Sequence, residues 1–239
     1  MNAAECVAEL IGNELLAAFV IVAVLFAASA PLSFAARMLG DWCAGRAAGR
    51  AGIPLVEAVG FDGALPRLSR LLTKLVVLTG FTVAMMAFDP MSVGVAFVLA
   101  FLVAAMIESD VVYRYLPLEL TVAAVVVGAC LWLVDGAPRM FAIGSVVGVI
   151  LLAAVEAVCV IGRRRGDRFA GGGDGPAMLA LCCATGSGCL TGALAGCFFA
   201  LGWGLIRRCL VRKGKLGLEG NAFPLAPFFG LWLMVGWLA

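Results

Sequence analysis

The sequence predicts an all-α fold, a polytopic membrane bundle of about eight apolar helices that includes one short or re-entrant hairpin. Three observations carry this. Of the 239 residues, 64% are hydrophobic and only 13% charged, about half the charge of a soluble domain. Apolar stretches recur near 15–36, 71–88, 91–107, 118–134 and 140–161, each about long enough to cross a hydrocarbon core as a helix. Lys and Arg gather in alternate connections, which gives the bundle a polarity.

Taken in order, the first apolar stretch has Glu5, Glu9 and Glu14 ahead of it and Arg37, Arg46 and Arg50 behind it. A cleavable signal peptide carries its basic residues in front, so 1–37 reads as a retained helix with its N-terminus outside. Residues 38–70 follow as a short cytoplasmic connector, with an apolar patch at 53–59 suited to an interfacial helix. The remaining 71–239 form the transmembrane core. Asp89-Pro90 and the turn from Asp135 to Pro138 are tight outer connections, whereas 108–117 and 162–176 fall inside.

The stretch 177–206 would span ~45 Å as one helix, longer than the bilayer core. It would also carry Arg207, Arg208 and Arg212 to the outer side. A break at Gly186-Ser187-Gly188 removes both difficulties by turning the stretch into a hairpin, and 225–239 makes the last crossing. Every Lys and Arg except Arg139 then lies on or near the cytoplasmic side, the pattern of a multi-pass protein of the cytoplasmic (inner) membrane. The bilayer is its expected partner, and no nucleic-acid partner is implied by a net charge of +2.

Much chemistry is excluded by composition. The chain has no His, and its nine Cys contain no C-x-x-C pair and fall mostly in apolar segments, where Cys acts as a small hydrophobe. Neither a metal site nor a cofactor is expected.

The acids are more informative, because a charge at membrane depth is kept where it pairs or acts. Asp110 and Asp174 fall at the same, cytoplasmic end of two apolar segments. Two carboxylates brought together can share a proton and activate water. Gly171, Gly172 and Gly173 precede Asp174 and allow close approach of another backbone. Pro117 suits the start of the helix after Asp110. Arg114 either pairs with a site carboxylate or snorkels to the boundary. Glu156 lies within an apolar segment and reads either as a structural hydrogen-bonding group or as a functional acid, whereas Glu108 reads as a boundary charge.

Asp110 followed by Leu116-Pro117 and Leu120-Thr121 resembles the first motif of the type IV prepilin peptidases. Gly171-Gly172-Gly173-Asp174 followed by Met178-Leu179-Ala180-Leu181 resembles their second, and Phe223-Pro224-Leu225-Ala226-Pro227 resembles the proline-rich approach to their last helix. The resemblance covers about 71–239 with the motifs in family order. It implies an intramembrane aspartic endopeptidase that cleaves the leader of prepilin-like membrane proteins at the cytoplasmic face. Asp110 and Asp174 would be its catalytic dyad, and Gly171–Gly173, Pro117, Arg114 and Glu156 its supporting residues.

The chain departs from the family at Pro176, where Lys is usual, and at Leu118, where Asp or Asn is frequent. The cytoplasmic insert with paired C-x-x-C motifs is missing, so a peptidase-only form without methyltransferase activity is expected. Two other classes stay open. One is a small transporter or channel using Asp110, Glu156 and Asp174 as ion or proton sites, and the other is a catalytically inactive assembly factor.

Overall fold

The computed structural model describes residues 29–50, 64–113, 115–164, 174–212 and 226–239. All regular structure among them is helical. Helix α1 comprises residues 29–50. It is followed by α2 (Ala64–Ala87), α3 (Pro90–Tyr113), α4 (Leu118–Val134), α5 (Pro138–Arg164), α6 (Asp174–Thr185), a 3₁₀ turn (Gly186–Gly188), α7 (Cys189–Arg212) and α8 (Ala226–Leu238). Four stretches are long and apolar enough to cross a membrane: Arg70–Ala87, Pro90–Tyr113, Pro138–Ile161 and the interrupted Asp174–Leu205. The apolar helices α4 and α8 are shorter.

The outer faces identify the solvent for which these helices are built. On α5, Val146 and Ile150 are 61% and 62% exposed, and on α7 Leu194, Phe198 and Leu201 stand outward as well. Apolar surface on this scale, apolar on every side of a helix, suits lipid and not water.

Successive helices alternate in direction from α2 to α8, as shown by which residues meet. Gly80 of α2 lies against Ala100 of α3. The first turn of α6, at Gly175, lies beside Leu152 and Val155 of α5, and Gly186 beyond its last turn lies beside Met140. Helix α7 then runs back along α8, pairing Gly192 with Trp232 and Gly196 with Phe228. At Gly144 and Gly188 the helices approach so closely that a Cβ would run into the carbonyl of Cys182 and of Gly236, respectively. Small residues allow this packing where no hydrophobic force drives helix association.

The turn at Gly186–Gly188 appears where the sequence suggests it. Gly186 takes φ +57, a left-handed conformation that opens the turn. The tightening leaves the last carbonyls of α6 without their helical donors, and indoles from neighbouring helices replace them. Trp132 Nε1 donates to the Cys183 carbonyl at 2.9 Å, and Trp237 Nε1 to that of Ala184 at 3.1 Å. Phe88 packs edge-on against both indoles. This tryptophan end is opposite an acidic end, where α3 finishes and α4, α6 and α8 begin.

Helix α1 differs from the sequence expectation. It runs without a break from 29 to 50, past the expected boundary at 37/38. Its buried residues Ser29, Ser33, Ala36, Gly40, Cys43 and Ala47 form one stripe at helical spacing. Gly40 docks this stripe against Ala105 of α3. The Arg-rich composition reads as a connector, but the small-residue stripe keeps the segment helical and packed.

Candidate active site at the acidic end

Helix α3 packs against α2, α4 and α8, and its last two turns bury polar groups among apolar ones. Glu108, Ser109 and Asp110 are 6%, 0% and 7% exposed. Glu108, read from the sequence as a boundary charge, is buried by α1, whose Gly40 lies against its Cβ. Ser109 Oγ donates to the Tyr115 carbonyl at 2.8 Å, which closes the turn from α3 into α4. Pro117 then caps α4 in an extended conformation, and its carbonyl accepts from Leu120 N–H at 3.2 Å.

Asp110 faces the start of α8. Its Oδ2 accepts the backbone N–H of Ala226, the first residue of that helix, at 2.9 Å in a buried contact. One turn on, Gly230 lies near Ile107 of α3, so α8 descends along α3 in the opposite direction.

Asp174 opens α6 and is 8% exposed. Its depth follows from the far end of the bundle, where the Trp237 indole of α8 meets the Ala184 carbonyl of α6. Trp237 lies eleven residues from Ala226 and Ala184 ten from Asp174, about 16 and 15 Å of helix. The first residues of α6 and α8 are therefore at one level, the level of Asp110. Helix α4 starts there too, since Gly128 lies against Ala184. Helices α3 and α6 each pack against both α4 and α8, so the two aspartates belong to opposite members of a four-helix ring.

Charge at this level is met by backbone dipoles. The N-termini of α4, α6 and α8 converge there, with Glu119 and Asp174 in first turns and Asp110 on the first amide of α8. A helix N-terminus carries partial positive charge that stabilises carboxylates. Glu156 joins this group: its Oε1 is 3.8 Å from the position a Cβ on Gly175 would take, beside Asp174 in sequence. Helix α5 continues two turns beyond Glu156 to Arg164, roughly 12 Å, and so projects past the level of these acids.

Alongside the ring, α1 and α4 border an open groove of about 780 Å³ lined by Ala47, Tyr115, Leu118 and Val122. An ion pair between Arg50 and Glu119 ties the two helices at its rim. Of the residues singled out from the sequence, Asp110, Asp174, Glu156 and Pro117 gather at the acidic end. Gly171, Gly172, Gly173 and Arg114 lie outside the described residues. Ser109 and the Ala226 amide are not legible in the sequence, because neither a lone serine nor a backbone N–H carries a signal there. Among the described residues, no three His, Cys, Asp or Glu side chains are grouped to hold a metal ion. Compared with protein-family models, curated proteins and solved structures, the chain matches none.

Proposed function

We propose that this chain is an intramembrane aspartic endopeptidase that removes the leader of prepilin-like membrane proteins at the cytoplasmic face of the inner membrane. The observation that carries the reading is the common level of two buried aspartates on opposite members of a four-helix ring. The substrate class is what the resemblance of the Asp110, Asp174 and proline-rich motifs to the type IV prepilin peptidases implies. In this reading about eight helices cross the bilayer, with α6 and α7 as a hairpin and the basic residues toward the cytoplasm.

A water held between the aspartates is the nucleophile. One carboxylate takes its proton while the other, protonated, polarises the scissile carbonyl and then assists departure of the amine. The recess below the end of α5 limits competing water. The groove between α1 and α4 gives the apolar helix of the substrate a place to lie beside the first dyad helix. The glycines at 171–173 would hold the extended leader segment by main-chain hydrogen bonds.

The test is cleavage of a prepilin-like protein, tagged at both ends, in membranes carrying wild type, Asp110→Asn or Asp174→Asn. Cleavage by wild type and by neither variant supports the dyad. Cleavage by all three removes the aspartates from the chemistry. One observation favours a second reading: Glu156 beside the start of α6 adds a third acid on an apolar helix, as an ion or proton path would need. A transporter of that kind would lose flux, with no cleavage to lose, on Glu156→Gln.

A further inference from the structure

We propose that Cys182 and Cys189 form a dithiol–disulfide site, in which a bond between the two sulfurs ties the last turn of α6 to the start of α7. The inference goes beyond the peptidase reading and does not rest on it.

Nothing in the spacing of the nine Cys marks a pair. The hairpin makes one. Cys182 lies in the last turn of α6, Cys189 is the first residue of α7, and the 3₁₀ turn folds one back on the other. Their side chains are 0% and 1% exposed, and the two thiols hydrogen-bond to each other. Sulfurs in such contact are within the reach that a disulfide requires. The backbone on both sides is held close, since a Cβ at Gly188 would meet the Gly236 carbonyl and one at Gly144 the Cys182 carbonyl. Cys183 is the internal contrast. It is rotated by about 100° around α6 from Cys182. Its Sγ lies 3.5 Å from Ser145 Oγ of α5.

The pair lies under the surface turn of the tryptophan end. Ser187, between the two cysteines, and Leu190, after them, are exposed. In the topology proposed above this end faces away from the cytoplasm, the side on which disulfides form and persist. The oxidant is a disulfide from that side, of a small molecule or a protein. One cysteine, as thiolate, attacks it and displaces one thiol, leaving a mixed disulfide. The other attacks the cysteine sulfur of that mixed disulfide and displaces the second thiol. Two cysteine thiols are oxidised, one disulfide is reduced to two thiols, and the two cysteine protons end on those thiols. The new bond constrains the unfolded chain and so stabilises the hairpin, whose first helix carries Asp174.

The test treats the full chain in detergent micelles with dipyridyl disulfide, a small uncharged oxidant. Denaturation, blocking of the remaining thiols with N-ethylmaleimide and mass spectrometry of the fragments then map every cysteine. The expected product is a bond between Cys182 and Cys189 with Cys183 outside it, and mixed disulfides on the exposed Cys130 and Cys197. The oxidised wild type is expected to unfold about 3–8 °C above the reduced one. Dithiothreitol is expected to abolish this difference, and Cys182→Ser and Cys189→Ser to lack it.

Three maps overturn the inference: a bond that joins Cys183 instead, separate mixed disulfides on Cys182 and Cys189, or both recovered as maleimide adducts after Cys130 and Cys197 have reacted. A bond that leaves the unfolding midpoint unchanged overturns the tie. The map needs only the wild-type chain, so it decides even where a variant fails to fold. None of these outcomes bears on Asp110 or Asp174.

Discussion

Asp110 has a structural task as well as its proposed chemical one, and two substitutions separate them. Its carboxylate caps α8 through Ala226. Asparagine offers a carbonyl oxygen in the same place, so Asp110→Asn is expected to keep the thermal unfolding midpoint in detergent while cleavage is lost. Asp110→Ala leaves the helix uncapped and is expected to lose about 1 kcal/mol besides. A midpoint for the two variants that falls equally would show that the Ala226 bond contributes nothing to folding. The latch at Ser109 acts on the other side of the same aspartate. Ser109→Ala frees the Tyr115 carbonyl, and about 1 kcal/mol of stability is expected to go with it. Asp110 and Asp174 were legible in the sequence because charge in an apolar segment is costly and therefore rare. The groups that hold them were not, since a backbone amide and a small hydroxyl look the same wherever they fall.

Among the elements, the hairpin of α6 and α7 depends on one left-handed residue and two borrowed donors. A side chain at Gly186 meets both the strain of φ +57 and the neighbours Met140 and Trp132, 2.9 and 3.0 Å from its Cβ. Gly186→Ala is expected to destabilise by at least about 1–2 kcal/mol from the backbone alone. Gly45→Ala is the contrast: its Cβ meets nothing within 4 Å on the exposed side of α1, so better helix propensity is expected to stabilise by up to ~1 kcal/mol. Unfolding by denaturant in micelles would rank the two against wild type. At the turn itself, Trp132→Phe keeps the ring and deletes the Nε1–H, leaving the buried Cys183 carbonyl unpaired at about 1–3 kcal/mol. The break could be read from Gly186-Ser187-Gly188 and the charges beyond it. The indole caps could not, because Trp132 and Trp237 sit in apolar runs where a tryptophan needs no further reason. Nor could the continuity of α1, whose small buried residues are too weakly apolar to register as a helix face.

For the whole molecule, the alternation from α2 to α8 makes a statement about sides that no single helix makes. Residues at the tryptophan end share one face of the bundle, and those at the acidic end share the other. Arg139 and Ser187 are exposed at the tryptophan end, and Arg50 lies at the acidic end on its ion pair with Glu119. With native cysteines replaced, a membrane-impermeant thiol reagent is expected to label Arg139→Cys and Ser187→Cys from one side of the membrane and Arg50→Cys from the other. The lengths make this more than a formality. Helix α6 has 12 residues, about 18 Å, well short of a 30 Å core, so in the proposed topology its turn would reach the far surface only with Asp174 starting partway into the bilayer. Labelling of Ser187→Cys from the same side as Arg50→Cys would make the hairpin re-entrant, and α6 and α7 would then not cross the bilayer. Labelling from opposite sides keeps Asp174 about two turns inside the end of α5, at the depth where an unmatched carboxylate is hardest to keep and a reacting one gains most from the exclusion of water.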